Sequence, residues 1–245
     1  RVRQLFDAFL VVDVEGTCHN GSNFDYPNEI IEFPVVLLRW EDADQDRRAS
    51  RLVKVSEFRS LCRPTWRPRL TDFCTALTGI TQDDIDQAPE WPQVVEEFDQ
   101  WLAANGLIDL QSGQRLQKFI FCCDGPFDIR DFVPKQSFIS KTPMRDYFLD
   151  DILDVRKAVQ TLGVPMPSTA TNPPRSSGKR LKMDIHRQLS ALGLDKFEGR
   201  HHSGIDDARN IARVLTHLGE QGIRLYANTF IYPDRKWEWM KRGEV

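Results

Sequence analysis

The sequence predicts an α/β domain in which a mixed sheet is flanked by helices, and three observations carry that expectation. Apolar, strand-like runs come first; segments of helical periodicity dominate later; and acidic residues stand where two of the strands end. With 245 residues and 40% hydrophobic content, the chain fits one large domain with enough apolar side chains for a real core.

The first strand, Phe9 to Val12, runs into Asp13, Val14, Glu15, Gly16 and Thr17. Residues i and i+2 of a strand share a face, so Asp13 and Glu15 are expected side by side where a buried strand reaches the surface. Adjacent carboxylates repel unless a cation lies between them. A divalent oxygen-seeking ion, Mg²⁺ or Mn²⁺, with open positions for a phosphate answers that need. Taken alone, the motif is equally well explained as a strand end with two solvated acids.

After a polar loop, Cys18 to Asn28, the near-continuous apolar run Glu29 to Arg39 predicts a central strand. Pro34 inside it predicts an edge segment or a bulge, with pairing beginning in earnest beyond it. A charged turn, Glu41 to Ser50, leads to a third strand, Leu52 to Cys62. Thr71 to Gly79 and the capping box at Thr81 to Asp84 predict two short helices. Trp91 to Ala104 is an amphipathic helix stopped by Asn105-Gly106. Phe119 to Cys123 is a short buried strand that runs into Asp124 to Asp128, with Pro126 suited to a first helical turn. Helical segments are expected over Asp151 to Leu162, Leu181 to Leu192 and Ile205 to Leu218, with a Pro/Ser/Thr-rich surface excursion over Pro165 to Gly178. The order is β-β-β-α-β-α-α, without internal repeats.

The net charge of −3 gives no global basic field, so a nucleic-acid role must rest on local patches. Arg175, Lys179, Arg180, Lys182, Arg187 and Arg200 form such a run, which a solvated face explains as well. Five cysteines without a CxxC pair predict reduced, mostly buried thiols. There is no signal-like leader and no run of eighteen apolar residues, so the expectation is an intracellular protein of cytoplasm or nucleus, with no membrane partner.

The last helix separates its two aspartates. From Asp207, positions i+4, i+7 and i+11 are Ile211, Val214 and Leu218, an inward face; from Asp206 they are Asn210, Arg213 and His217, a solvent face. An inward aspartate is costly unless paired or metal-bound, whereas Asp206 needs no more than the helix N-terminus. His202, five residues before Asp207, is the candidate general base, with His201 its competitor.

These acids and His202 together resemble the DEDDh 3′–5′ exonucleases of the ribonuclease-H-like fold. The stretches DVEGTCHNGSNFDYPNEIIEFPVVLL, LTGITQDDIDQAPEWPQVVEEFDQWL and HHSGIDDARNIARVL resemble the Eri-1/3′hExo exoribonuclease family over about Phe9 to Leu218. The resemblance implies a mixed five-stranded sheet and an exonuclease domain over residues 1–225, with 226–245 a tail packed on it. It also implies two-metal hydrolysis with Mg²⁺ or Mn²⁺, releasing nucleoside 5′-monophosphates from RNA with a free 3′ hydroxyl. Asp13, Glu15, Asp128 and Asp207 are then the metal carboxylates and His202 the base. Thr17 contacts the terminal sugar, and Leu77 and Phe127 pack on the terminal base. The family's motif is an aromatic followed by Asp, which Phe127-Asp128 fits; Asp124 is left as a helix cap. Partners in small-RNA processing or silencing follow from the same resemblance.

Two rivals stand beside it. VVDVEGT resembles the haloacid-dehalogenase phosphatase signature, although Glu15 is a methylene longer than that chemistry uses. An exonuclease fold kept as a scaffold in RNA silencing is the other, although a pure scaffold has no need for four clustered acids.

Overall fold

The computed structural model describes residues 1–162, 183–243 and 245. Among the described residues eight strands form: β1 (Val2–Arg3), β2 (Ala8–Val12), β3 (Glu15–Gly16), β4 (Ile30–Trp40), β5 (Arg48–Ala49), β6 (Leu52–Leu61), β7 (Phe119–Cys123) and β8 (Leu153–Asp154). Helices α1 (Asp72–Thr78), α2 (Gln82–Asp86) and α3 (Trp91–Ala104) follow the first strands. A π-helical turn (Asp128–Phe132) leads into α4 (Val133–Ser140), and α5 (Val155–Thr161), α6 (Ile185–Ala191), α7 (Gly204–Glu220) and α8 (Glu238–Arg242) complete the chain.

The main sheet is mixed. β6, β4 and β2 pair antiparallel, while β2, β7 and β8 run parallel, so five strands lie side by side. The two-residue β3 resumes pairing with β4 after β2 has ended, making a sixth. β1 and β5 form a separate ladder.

Strand alternation distributes the core. Ala8, Leu10 and Val12 of β2 pack with Phe33, Val35 and Leu37 against Trp91, Val94, Phe98 and Leu102 of α3. Phe9 and Val11 face the opposite way, against Ile205, Ala208, Ile211, Val214 and Leu218 of α7. Both faces are covered, which is why these strands are apolar throughout. Asp13 and Glu15 continue the odd-numbered, α7-facing register.

Pro34 meets its expectation on the β2 side, where pairing begins at Val35, and departs from it on the other. β4 is central rather than an edge, and Pro34 lies opposite Arg59 in the β6 ladder. β2 pairing stops at Val12 with Val35, and β3 pairing resumes at Glu15 with Glu32, so Pro34 and Phe33 face the break at Asp13 and Val14. A residue without an N–H is tolerated where the neighbouring strand leaves the ladder.

The helix expected over 151–162 also changes. Leu153 and Asp154 form β8, and only then does Asp154 cap α5 through the Lys157 N–H at 3.1 Å. Two residues are too few for periodicity to reveal a strand. Residues 181 and 182 of the next predicted helix and the 165–178 excursion lie outside the described residues.

Candidate active site

Asp13 and Glu15 stand at the break between β2 and β3, and Asp207 lies in the first turn of α7. One oxygen from each lies within 4.8 Å of the others. Gly204 makes this approach possible: a Cβ there would sit 2.5 Å from the Asp13 carbonyl oxygen. Its N–H donates to Glu32 Oε2 at 3.0 Å, while Arg59 Nε donates to Glu32 Oε1 at 2.7 Å. Glu32 thus ties the start of α7 to the central strand. Sequence reasoning missed it, although an acid inside the apolar run Ile30 to Leu38 was its signal.

The helical phase of Asp207 is confirmed. It is 2% exposed, and neither carboxylate oxygen has a hydrogen-bond partner. The face assigned to Asp206 needs correcting, because Asn210 is fully buried: its side-chain amide donates to Glu198 O and Asp206 O. Asp206 itself accepts the Arg200 N–H at 3.1 Å and pairs with Arg209, which in turn pairs with Glu57. It therefore fastens the loop that carries the histidines.

Asp128 opens the π-helical turn after β7. Its Oδ1 accepts the Val14 N–H at 2.9 Å, so the second strand-end acid is bonded to the backbone between Asp13 and Glu15. It lies outside the close carboxylate trio but adds its charge to that on Asp13. Asp124 is not a helix cap. Arg156 donates to both its oxygens, at 3.0 and 2.8 Å, and Gln188 donates to Oδ1 at 2.6 Å. Asp154 instead accepts the Gly125 N–H.

Burial and mutual repulsion set the electrostatics. Burial, then the charges of Asp128, Asp207 and Glu15, raises Asp13 well above the ordinary carboxylate range. Burial and then Asp207 and Glu32 do the same to Glu15. Asp128 and Asp207 are each pushed up to about 7, chiefly by burial. Oxygen-only donors, crowded and short of protein partners, fit a hard divalent cation.

His202 has φ +62°, a left-handed conformation uncommon outside glycine. Its ring centroid lies 3.9 Å from that of His201, whose Nε2 is 3.9 Å from Asp207 Oδ1. His201 therefore stands by Asp207, with the His202 ring packed against it. Both are shifted below the ordinary histidine value, first by burial. Arg200 Nη2 donates to Ala76 O and Leu77 O at the end of α1, at 3.1 and 3.0 Å, so this member of the basic run serves the fold. Arg175, Lys179, Arg180 and Lys182 lie outside the described residues.

Of the substrate residues, Leu77 lines a pocket beside Glu15 and Gly16, whereas Thr17 and Phe127 are absent from its wall. Thr17 Oγ1 accepts the Glu29 N–H at 2.9 Å, and Phe127 lies behind Phe24. All five cysteines are free, four of them buried.

Residues 10–215 match the exonuclease family RNase_T. A 3′-5′ exonuclease eri1 from Schizosaccharomyces pombe is 31% identical, over 94% of this chain and 74% of its own length. The human 3′-5′ exoribonuclease 1 is also 31% identical, over 91% of this chain but 55% of its own length. Among solved structures, the nuclease domain of 3′hExo, a DEDDh family member bound to rAMP, superposes with a TM-score of 0.73 at 29% identity, covering 94% of this chain and all of that one. The chain belongs to this exonuclease family, among the Eri1-type 3′–5′ exoribonucleases. Its ribonuclease-H-like sheet carries a phosphodiester-hydrolysing exonuclease site, and the phosphatase reading of VVDVEGT falls with that match.

Proposed function

We propose that this chain is a Mg²⁺- or Mn²⁺-dependent enzyme that removes nucleoside 5′-monophosphates from RNA bearing a free 3′ hydroxyl. The observation that carries the proposal is the close trio of half-buried Asp13 with buried Glu15 and Asp207, in which neither oxygen of Asp207 accepts a protein hydrogen bond. Asp13, Glu15, Asp128 and Asp207 would hold two cations. When bound, such ions lower the pKa of an attacking water and offset charge on the phosphate and the departing 3′ oxygen. His202, kept neutral near pH 7 by its downward shift, accepts the proton from that water. Arg200 holds its loop against α1 while Asp206, paired with Arg209, holds it to α7, and Thr17 and Leu77 meet the terminal nucleoside. An intracellular location and partners in small-RNA processing belong to the same proposal and rest on the sequence resemblance. Among the described residues, no helix is long and apolar enough to cross a membrane.

The test compares 3′-end-labelled and 5′-end-labelled RNA with either ion present or chelated. Release of labelled mononucleotide from the 3′ end, abolished by chelator and by a 3′ block, is the expected result. Undiminished cutting in chelator, or circular RNA as the preferred substrate, would overturn it; metal binding without any hydrolysis would favour the scaffold reading.

A further inference from the structure

The pocket beside the acids has a volume of about 320 Å³, and its aromatic and apolar wall comes from three elements. Helix α1 supplies Phe73 and Leu77, the polar loop after β3 supplies Phe24, and the π-helical turn supplies Phe132 next to it. Phe24 stacks on Phe127 with ring centroids 4.0 Å apart and planes 12° from parallel, so Phe127 forms a second layer behind it. Phe24 nevertheless remains 46% exposed, an aromatic surface the fold itself leaves uncovered. Its backbone is pinned. Lys135, 1% exposed, donates through its ammonium to the carbonyl oxygens of Phe24 and Tyr26 and to Asn28 Oδ1.

The geometry points to Phe24, backed by Phe127, as the residue that stacks on the terminal base of the RNA and sets a purine preference at the 3′ end. This rests on the exoribonuclease reading, in which the terminal nucleoside lies next to Glu15. Base–aromatic stacking tolerates any base but strengthens with overlapping ring area, so a purine gains more than a pyrimidine. Leu77 and Phe73 supply apolar surface for the other side of the base, and Glu15 is the one carboxylate in the lining. Held in place by Lys135, the Phe24 ring loses little freedom when a base arrives.

Four RNAs that differ only in the 3′-terminal nucleotide test this through kcat and KM separately. Wild type should show lower KM for A and G ends than for C and U ends. Phe24→Ala should raise KM for the A-ended RNA by about 10-fold or more, with a smaller change in kcat, and should bring the four KM values together. Phe24→Trp should keep the purine preference. An unchanged preference in Phe24→Ala, or a lower KM, would overturn the proposal, because Phe24 would then be a cover that the base must displace from Phe127. Calorimetry of AMP and UMP with Mg²⁺ separates the two readings. If wild type hydrolyses no RNA yet Phe24→Ala weakens AMP more than UMP, the exonuclease reading fails and the stacking role stands. If both nucleotides bind the variant as they bind wild type, the stacking role fails.

Discussion

Two buried aspartates of this chain, Asp207 and Asp131, are alike in type and exposure and opposite in surroundings. Asp131, 1% exposed, accepts two hydrogen bonds from Arg130 at 2.9 Å and one from Arg235 at 2.6 Å. Glu29, fully buried, is similarly served by the backbone N–H groups of Thr65, Trp66 and Arg67. Asp207 receives no such donor and faces Asp13 and Glu15. Where a buried acid holds the fold together, donors surround it; where donors are withheld from several adjoining acids, the compensating charge must come from outside the chain.

Removing each acid should break that comparison in different observables. Asp207→Asn should lower exonuclease turnover by on the order of 10³-fold or more while the protein stays folded, because a site built to neutralise bound cations loses a charged ligand. Asp206→Asn, which loosens only the histidine loop, should cost about tenfold at most. Equal losses in single-turnover assays of the two variants would erase the distinction.

The histidines come next. His202→Ala should lower turnover by about 10²- to 10⁴-fold with metal and RNA binding kept, whereas His201→Ala should stay near wild type. Because burial lowers the His202 pKa, wild-type activity should fall on acidification only below the ordinary histidine range, as imidazole becomes protonated. That acidic limb should vanish in His202→Ala. A dead His201→Ala would reassign the base, since His201 is the ring near Asp207 Oδ1.

Asp131→Asn should act on stability instead, by about 2 kcal/mol read from urea midpoints, as charge-assisted hydrogen bonds weaken. Its folded fraction should still hydrolyse RNA. Loss of activity without loss of stability would show that Asp131 belongs with Asp207 after all.

The last effect is read without substitution, as a dependence of stability on pH. Asp128 and Asp207 have folded pKa values of about 7 against an ordinary value of 3.8. Between these values the folded state binds more protons than the unfolded one, so stability without metal falls as pH rises from about 4 to about 7. In chelator, the melting temperature should drop over that interval, each pKa unit of the shift corresponding to about 1.4 kcal/mol of lost stability. Saturating Mg²⁺ should remove the drop, and Asp207→Asn should be less sensitive to both pH and metal. A melting temperature that rises over the same interval in chelator would contradict the crowded-acid picture.

What the sequence determined by itself was whatever local periodicity expresses. An apolar run marked β2 and i, i+2 spacing its acids, helical spacing stopped at Gly79 and the capping box at Thr81 marked α1 and α2, and helical phase turned Asp207 inward. What only the tertiary structure decided was set by contacts between residues far apart in the chain. Arg156 takes Asp124 away from its expected cap, a covering segment buries Asn210 on a face that looked solvated, and Gly204 meets the Asp13 carbonyl. Phe24 likewise comes to rest on Phe127, about a hundred residues away, because buried Lys135 draws in its loop. Local rules report on neighbours within one strand or one helical turn. A side chain's partner across the core depends on the whole chain having folded, so the acids were legible while the groups that position them and the ring that closes the pocket were not.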